Sequence, residues 1–223
     1  MPAANAALGV ADLVSELSLR IASGIVMIVV ALGATFLGGY WFATFVAIIA
    51  GLIFVEWTRL TRGWGIGWTV AGFLYALIPA VSLLWLRERG AHTLEMILWI
   101  FIITWSTDIG AYFAGRSIGG PKLAPHISPN KTWAGLIGGV LVAGVLGGLW
   151  AQNTGLWKAF IWYGPLIAVG AQMGDLFESH LKRRAGVKDS GTILPGHGGV
   201  MDRLDGLVVV ASFAALIHVI GTA

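Results

Sequence analysis

The sequence contains no cysteine and very few charged residues. Only 11% of its 223 residues are Asp, Glu, Lys or Arg, whereas soluble domains contain about 25%. The lack of cysteine excludes disulfides, thiolate metal ligands and cysteine nucleophiles. Hydrophobic residues make up 57% of the chain, and its mean hydropathy is +0.82. This balance is typical of a protein embedded in a lipid bilayer.

Charge is absent from four long stretches, which are residues 21–55, 63–86, 132–157 and 206–223. Because a membrane-spanning helix needs about 20 apolar residues, each stretch has room for at least one span. The hydrophobic runs predict an all-α fold, a polytopic transmembrane helix bundle of about seven spans. The predicted spans are 21–37, 41–55, 66–86, 94–113, 133–150, 160–179 and 204–220. The fifth contains Gly135, Gly139, Gly144 and Gly148, which predict close helix packing.

The basic residues favour one orientation of this bundle. Alternate sides of the predicted spans carry 11 and 3 of the 14 Lys and Arg residues. Loops rich in Lys and Arg stay on the cytoplasmic side of a membrane. The N-terminus and both long polar loops are therefore predicted to be cytoplasmic, and the C-terminus is predicted to lie on the opposite side.

Acidic residues end two of the apolar runs. Asp108 closes one run, and Asp175 and Glu178 close another. Ionisable groups near membrane depth are costly and usually functional. If the second helix continues, Asp175, Ser179 and Lys182 share one face of it. The alternative for Glu178 and Lys182 is a surface ion pair, which explains neither Asp108 nor Asp175.

The first polar loop, residues 115–133, carries cations and hydroxyl groups directly before a predicted helix. Free amide groups at a helix start, with lysines beside them, form a favourable site for phosphate. The alternative is a basic loop at the membrane surface in which a threonine caps the helix. The cations and hydroxyls of this loop are Arg116, Lys122, Lys131, Ser128 and Thr132.

The second polar loop, residues 182–205, is rich in glycine around His197. Glycine permits backbone conformations in which amide groups converge on an anion. Asp202 and Asp205 are three residues apart at the start of the last predicted helix, so they would project to the same side. Together with Asp175 they would hold a divalent cation through hard oxygen ligands, as Mg²⁺ prefers. The alternative for Asp202 alone is a helix N-cap.

The motifs of this second loop resemble the signature of the phosphatidate cytidylyltransferase family. The segments 108–116, 122–133 and 174–179 resemble the family too, so the likeness covers about residues 105–206. The matching positions of the second loop are Ser179, Lys182, Arg183, Lys188, Asp189, Leu194, Pro195, Gly196, His197, Gly198, Gly199, Asp202, Arg203 and Asp205.

The resemblance implies a helical membrane enzyme that condenses CTP with phosphatidic acid to give CDP-diacylglycerol and pyrophosphate for phospholipid biosynthesis. It implies a homodimer that uses Mg²⁺, with K⁺ as a further cation. It also implies that Asp175 and Asp202 are metal ligands, with Asp205 and Ser179 close by. The expected partners are CTP, phosphatidic acid and membrane lipid, without nucleic acid. The expected location is a bacterial inner membrane, with the active-site loops at the cytoplasmic face.

In this interpretation a phosphatidate oxygen attacks the α-phosphorus of CTP. A phosphate monoester is already anionic near neutral pH, so catalysis rests on positioning and charge neutralisation. The pyrophosphate charge is assigned to Lys182, Lys188 and Arg203. The phosphatidate headgroup is assigned to Lys131 and Arg116.

The predicted site has sixteen residues. Those predicted to be catalytic are Asp175, Asp202, Asp205, Lys182, Lys188 and Arg203, and the three aspartates among them form the predicted metal set. Those predicted to bind substrate are Asp108, Arg116, Lys122, Ser128, Lys131, Thr132, Ser179, His197, Gly198 and Gly199.

This interpretation divides the chain into three parts. Residues 1–18 form a cytoplasmic or interfacial lead-in, residues 19–104 form transmembrane scaffold helices, and residues 105–223 form the catalytic transmembrane region with its two polar loops. Two alternatives stay open. A CTP-dependent kinase of a polyprenyl alcohol would use His197 as its base, and a cation-coupled transporter would bind its cation at Asp108 and Asp175. Charges clustered at one face and the lack of paired broken helices disfavour transport.

Overall fold

The computed structural model of the chain is a helix bundle with one small β-hairpin. It describes the backbone of residues 2–89 and 91–222 and the side chains of residues 17–89 and 91–221. The helices over these residues are α1 (Pro2–Leu37), α2 (Gly39–Leu60), α3 (Ile66–Glu88), α4 (Thr93–Ile118), α5 (Trp133–Thr154), α6 (Ala159–Arg184) and α7 (Met201–Thr222). The predicted all-α class is confirmed. The hairpin, which pairs β1 (Lys122–Ala124) antiparallel to β2 (Ser128–Thr132), was not predicted.

Six of the described helices are long and apolar enough to cross a membrane. The remaining one, α6, is 26 residues long but carries polar residues such as Gln172, Asp175 and Glu178 in its second half. It nevertheless packs against both α5 and α7 along the bundle. All seven predicted helices therefore form, and the least apolar of them carries three of the predicted site residues, Asp175, Ser179 and Lys182.

The helix boundaries follow the glycines and the polar ends of the apolar runs. The backbone of α1 is helical from Pro2 to Leu37, so the predicted lead-in continues into the first span, and Met1 lies outside the described residues. Gly38 and Gly39 have φ angles of 64° and 49°, which separate α1 from α2 at the predicted turn. Arg87 of α3 donates two hydrogen bonds to the carbonyl oxygen of Thr35 and so caps the end of α1.

Helix α4 contacts α1, α3, α5, α6 and α7, and the glycines of α5 let α4 and α6 come close to α5. A Cβ atom added at Gly139 of α5 would lie 2.6 Å from the carbonyl oxygen of Thr107 on α4. On the other side of α5, a Cβ atom at Gly144 would lie 2.8 Å from the Pro165 ring of α6. The predicted packing role of the α5 glycines is confirmed. This packing brings the end of α4 beside the start of α5.

The helices alternate in direction, so one end of the bundle collects the polar loops. There, Ser23 of α1 contacts His197 of the second loop, and Glu56 of α2 contacts Ser190. Arg183 at the end of α6 donates to the carbonyl oxygen of Ile127 in the hairpin at 3.3 Å, which joins the two loops. This end of the bundle, termed the loop end, contains the candidate site.

Candidate active site

A cavity of about 790 Å³, termed the polar cavity, lies at the loop end between α4, α6, α7 and the hairpin. The helix ends place there residues that are almost 100 positions apart in the sequence. Gln172 and Asp189, which are not among the sixteen predicted site residues, also line it. Nine of the sixteen predicted site residues line it, namely Asp108, Arg116, Lys131, Thr132, Asp175, Lys182, Asp202, Arg203 and Asp205.

The hairpin directs Lys131 into the polar cavity. Thr132, the last residue of β2, caps α5 by accepting a hydrogen bond from the Gly135 amide at 3.0 Å, as the alternative interpretation predicted. The preceding residue, Lys131, forms an ion pair with Asp175 and donates to Gln172 Oε1 at 3.1 Å. Lys131 therefore neutralises an α6 carboxylate at the wall of the cavity.

Lys182 links α6 to α7 through two carboxylates. Its Nζ lies 3.0 Å from Glu178 Oε1 and 2.6 Å from Asp202 Oδ1. The ion pair between Glu178 and Lys182 thus exists, but it is not the surface pair proposed as an alternative, because Glu178 is completely buried. The stability of this arrangement depends on Lys182 neutralising the carboxylates, since an unpaired buried charge is strongly destabilising.

Asp202 anchors the second loop. Its Oδ2 accepts hydrogen bonds from the amides of Ser190 at 2.9 Å and Gly199 at 2.8 Å. Asp202 is the second residue of α7 and bonds to residues that precede it, so it does not act as an N-cap. The amide groups predicted to converge on an anion do converge, but here they meet a carboxylate of the chain itself.

Seven predicted site residues lie outside the wall of the polar cavity. Ser179 contacts a residue of the wall, because its hydroxyl donates to Asp175 Oδ1 at 3.3 Å. His197 turns away towards α1, where its Nδ1 lies 2.8 Å from Ser23 Oγ. The carbonyl oxygen of His197 accepts from Arg203 Nε at 3.1 Å. The other five are Lys122 and Ser128 in the hairpin, and Lys188, Gly198 and Gly199 in the second loop.

Sequence reasoning missed Glu56, which it treated as the end of a plain scaffold helix. The Glu56 side chain is completely buried in α2 and accepts hydrogen bonds from Ser190 Oγ and from the amides of Val200 and Met201. The signal was present, because Glu56 ends an apolar run in the same way as Asp108 does. The scaffold helices therefore contribute directly to the loop end.

A second cavity of about 460 Å³, termed the apolar cavity, lies between α1, α2, α3, α4 and α7. Its walls are almost entirely aliphatic and aromatic side chains, such as Phe42, Ile53 and Leu83. Arg203 lines both cavities. A charged compartment and an apolar compartment therefore adjoin at a single cationic residue.

The residues of the polar cavity fit a hard cation in chemistry but do not form a closed metal site. Among the side chains that the structure describes, no group of three or more His, Asp or Glu residues is arranged to hold a metal ion. Mg²⁺ commonly uses only one or two protein carboxylates and takes its other ligands from water and substrate phosphates. Five carboxylates that suit this role line the cavity, namely Asp108, Asp175, Asp189, Asp202 and Asp205.

The fold and the site define a class: an integral membrane protein of several helices, with a charged cavity at one end beside an apolar one. Residues 62–220 match the model of the cytidylyltransferase family. A phosphatidate cytidylyltransferase from Brucella suis is 38% identical, over 93% of this chain and 94% of that protein. One from Rickettsia bellii is 36% identical over 92% and 91%, and one from Bacillus subtilis is 37% identical over 75% and 65%.

The chain therefore belongs to the cytidylyltransferase family, and it is a nucleotidyltransferase enzyme. The resemblance found in the two polar loops is confirmed.

Proposed function

We propose that the protein transfers a cytidylyl group from CTP to phosphatidic acid and releases pyrophosphate. The observation that carries this proposal is the junction of the polar and apolar cavities at Arg203. Phosphatidic acid combines a doubly ionisable phosphate with two acyl chains, so its site needs a charged compartment and an apolar one side by side. The names of the relatives support the same reaction.

The apolar cavity suits an acyl chain of the lipid substrate. It is bordered by α1, in which residues 17–34 are all exposed or half-buried, so lipid has lateral access to this side. Because the acyl chain moves there from the hydrocarbon of the bilayer, the apolar walls keep it out of water without adding a hydrophobic driving force. With the chain placed there, the phosphate would lie near Arg203 at the edge of the polar cavity.

The polar cavity supplies the charge that the reaction requires. Pyrophosphate departs with added negative charge, which positively charged side chains must stabilise in the transition state. We assign this role to Lys182 and Arg203, and the headgroup to Lys131 and Arg116, all of which line the cavity. Lys188 keeps its predicted role although it lies outside the cavity wall. The phosphate monoester needs no dedicated base.

We propose Mg²⁺ as the cofactor, with K⁺ as a further cation. Asp175 and Asp202 would hold Mg²⁺, with Asp205 beside them, because hard carboxylate oxygens are the ligands it prefers. When bound, the ion supplies charge neutralisation for the triphosphate. The chain itself contributes Lys131 and Lys182, which already pair with these two carboxylates.

The reaction is tested with purified protein, labelled CTP and phosphatidic acid in detergent micelles. We expect CDP-diacylglycerol and pyrophosphate in equal amounts. Formation of CDP with a phosphorylated polyprenyl alcohol would instead identify a kinase. His197, the base that a kinase would need, bonds to Ser23 and does not line the polar cavity. Absence of turnover with both acceptors would contradict the proposal.

We propose that the loop end faces the cytoplasm and that the protein is a homodimer. The eleven basic residues on that side of the predicted spans support the orientation. Because the chain lacks cysteine, single-cysteine variants report sidedness without a background signal. A membrane-impermeant thiol reagent should label His126→Cys and Thr192→Cys only from the cytoplasmic side, and Lys158→Cys only from the other. Labelling of all three from one side would show that neither α5 nor α6 crosses the membrane.

Lys131→Met should weaken the apparent affinity for phosphatidic acid much more than that for CTP. The change keeps most of the aliphatic stem but removes the charge, which costs about 1.5 to 3 kcal/mol for a charge-assisted hydrogen bond, or roughly 10- to 100-fold. The measurement varies each substrate in micelles at fixed surface dilution.

The control for this variant is Lys158→Met, which makes the same change at the opposite end of the bundle. Little change in either constant would mean that Lys131 serves only the orientation of the protein. A selective loss for CTP would assign Lys131, through its ion pair with Asp175, to the triphosphate.

A further inference from the structure

Glu56 connects a scaffold helix to the second polar loop by three hydrogen bonds. Its Oε2 accepts from Ser190 Oγ at 2.9 Å and from the Met201 amide at 2.8 Å. Its Oε1 accepts from the Val200 amide at 2.9 Å. Val200 and Met201 lie at the start of α7, where the helix dipole favours a negative charge. The carboxylate is thus held by the loop and by the first turn of the helix that carries Asp202.

The loop is shaped around the Glu56 carboxylate. A Cβ atom added at Gly191 would lie 2.6 Å from Glu56 Oε1, and one at Gly199 would lie 2.6 Å from Oε2. Real Cβ atoms do not approach other atoms so closely, so only glycine fits at both positions. The loop therefore packs directly against the Glu56 side chain at two places, Gly191 and Gly199.

The same loop residues also bind Asp202. Ser190 donates its hydroxyl to Glu56 and its amide to Asp202 Oδ2. The amide of Gly199 donates to Asp202, and the next amide, that of Val200, donates to Glu56. Neighbouring donors thus alternate between the two carboxylates. Without the Glu56 carboxylate, the loop would lack the contacts that hold the amides of Ser190 and Gly199 in place to bind Asp202.

We propose that Glu56 is a positioning residue for the reaction: it fixes the second polar loop, and through Ser190 and Gly199 it sets the orientation of the Asp202 carboxylate. This inference rests on the proposed function, because it assigns Glu56 to the site where cytidylyl transfer takes place. A purely structural role for Glu56 would stabilise the bundle without affecting the geometry of Asp202. The two roles differ in what happens to the loop and to kcat.

Loop mobility gives the first test, and it needs no substrate. A nitroxide attached at Thr192→Cys, an exposed position of the loop, reports the mobility of the loop backbone in otherwise unchanged protein. Glu56→Gln replaces an acceptor oxygen with an NH₂ group that faces N–H and O–H donors, so the label should become more mobile than in otherwise unchanged protein. Ser190→Ala removes one of the three bonds and keeps the amide bond to Asp202, so its effect should be intermediate. Glu95→Gln is the control, because Glu95 lies near the start of α4, at the end of the bundle away from the loop. It should leave the spectrum of the label unchanged.

Kinetics gives the second test. Glu56→Gln should lower kcat by about tenfold or more, as expected for loss of charge-assisted hydrogen bonds that orient a reacting group, with a much smaller change in the KM for phosphatidic acid. The stability control is Gly147→Ala, where a Cβ atom would lie 2.3 Å from Ile103 Cδ1, far from the loop. It should lower the thermal midpoint in detergent while preserving kcat.

The outcomes separate this inference from the proposed function. A loop that stays as rigid in Glu56→Gln as in the unchanged protein would overturn the positioning role. So would a loss of kcat in Glu56→Gln no larger than that in Gly147→Ala, if the two variants have equal thermal midpoints. If Glu56→Gln does not fold, Ser190→Ala decides by the same two criteria. A wild-type protein that is inactive with CTP and phosphatidic acid would overturn the proposed function itself.

Discussion

Asp202→Asn is expected to lower kcat/KM by about a thousandfold while the helix bundle stays folded, as for loss of a main electrostatic group of a site. The Asp202 carboxylate accepts from Lys182 with one oxygen and from two loop amides with the other. Asparagine has one acceptor oxygen, so its NH₂ group must face donors in either orientation. The variant also removes a proposed Mg²⁺ ligand, and it leaves no cavity because the two side chains are similar in size.

Activity is measured at saturating CTP and Mg²⁺, and folding by circular dichroism and by the thermal midpoint in detergent. Glu88→Gln, an exposed carboxylate at the end of α3, is the matched control and should behave as wild type. Asp205→Asn should also reduce turnover, but less, because Asp205 accepts only from the amide of Gly206 among the hydrogen bonds found in the described residues. Near-normal activity of Asp202→Asn at saturating Mg²⁺ and CTP would refute its role as ligand.

Lys182→Met is expected to reduce stability as well as activity. The ammonium group lies between Glu178 and Asp202, whose side chains are only 1% and 4% exposed. Its loss leaves two buried carboxylates without their common cation, and breaking a buried ion pair in this way costs about 3 to 5 kcal/mol. The thermal midpoint and the yield of monodisperse protein in detergent should both fall.

A double variant separates the two roles of Lys182. Adding Glu178→Gln to Lys182→Met removes one of the stranded charges, so most of the stability should return. Activity should stay low, because the cation assigned to the departing pyrophosphate is still missing. Full recovery of activity together with stability would show that Lys182 serves only to join α6 to α7. An unchanged thermal midpoint in Lys182→Met would show that the buried pair contributes nothing.

The helices could be predicted from the sequence for a simple physical reason. In a bilayer, backbone amides and carbonyls have no water to bond, so an apolar stretch of sufficient length must become a helix. This rule identified all seven helices, and the polar face of α6 followed from the spacing of Asp175, Ser179 and Lys182. The hairpin was not predicted, because a β-hairpin of eleven residues carries too weak a pattern among the prolines and glycines of that loop.

Many residues of the site could also be predicted from the sequence, since nine predicted residues line the polar cavity. An acidic residue at the end of an apolar run costs free energy because it lies near membrane depth, so such residues usually have a function. This argument identified Asp108 and Asp175. The same argument applied to Glu56 would have found it. It was passed over because its partners, Ser190, Val200 and Met201, lie more than 130 residues away in the chain.

The sequence by itself therefore determined the class of protein, the number of helices and the residue types that meet at the loop end. The spacing of Glu178 and Lys182 already indicated an ion pair within α6, whereas only the tertiary structure decided which cation pairs with a carboxylate of another element. Periodicity places a side chain on a face of its own helix, whereas an ion pair depends on the distance and rotation between two helices. The packing of α4, α5, α6 and α7 sets these distances. It directs Lys131 to Asp175, places Lys182 between Glu178 and Asp202, and closes the second loop around Glu56.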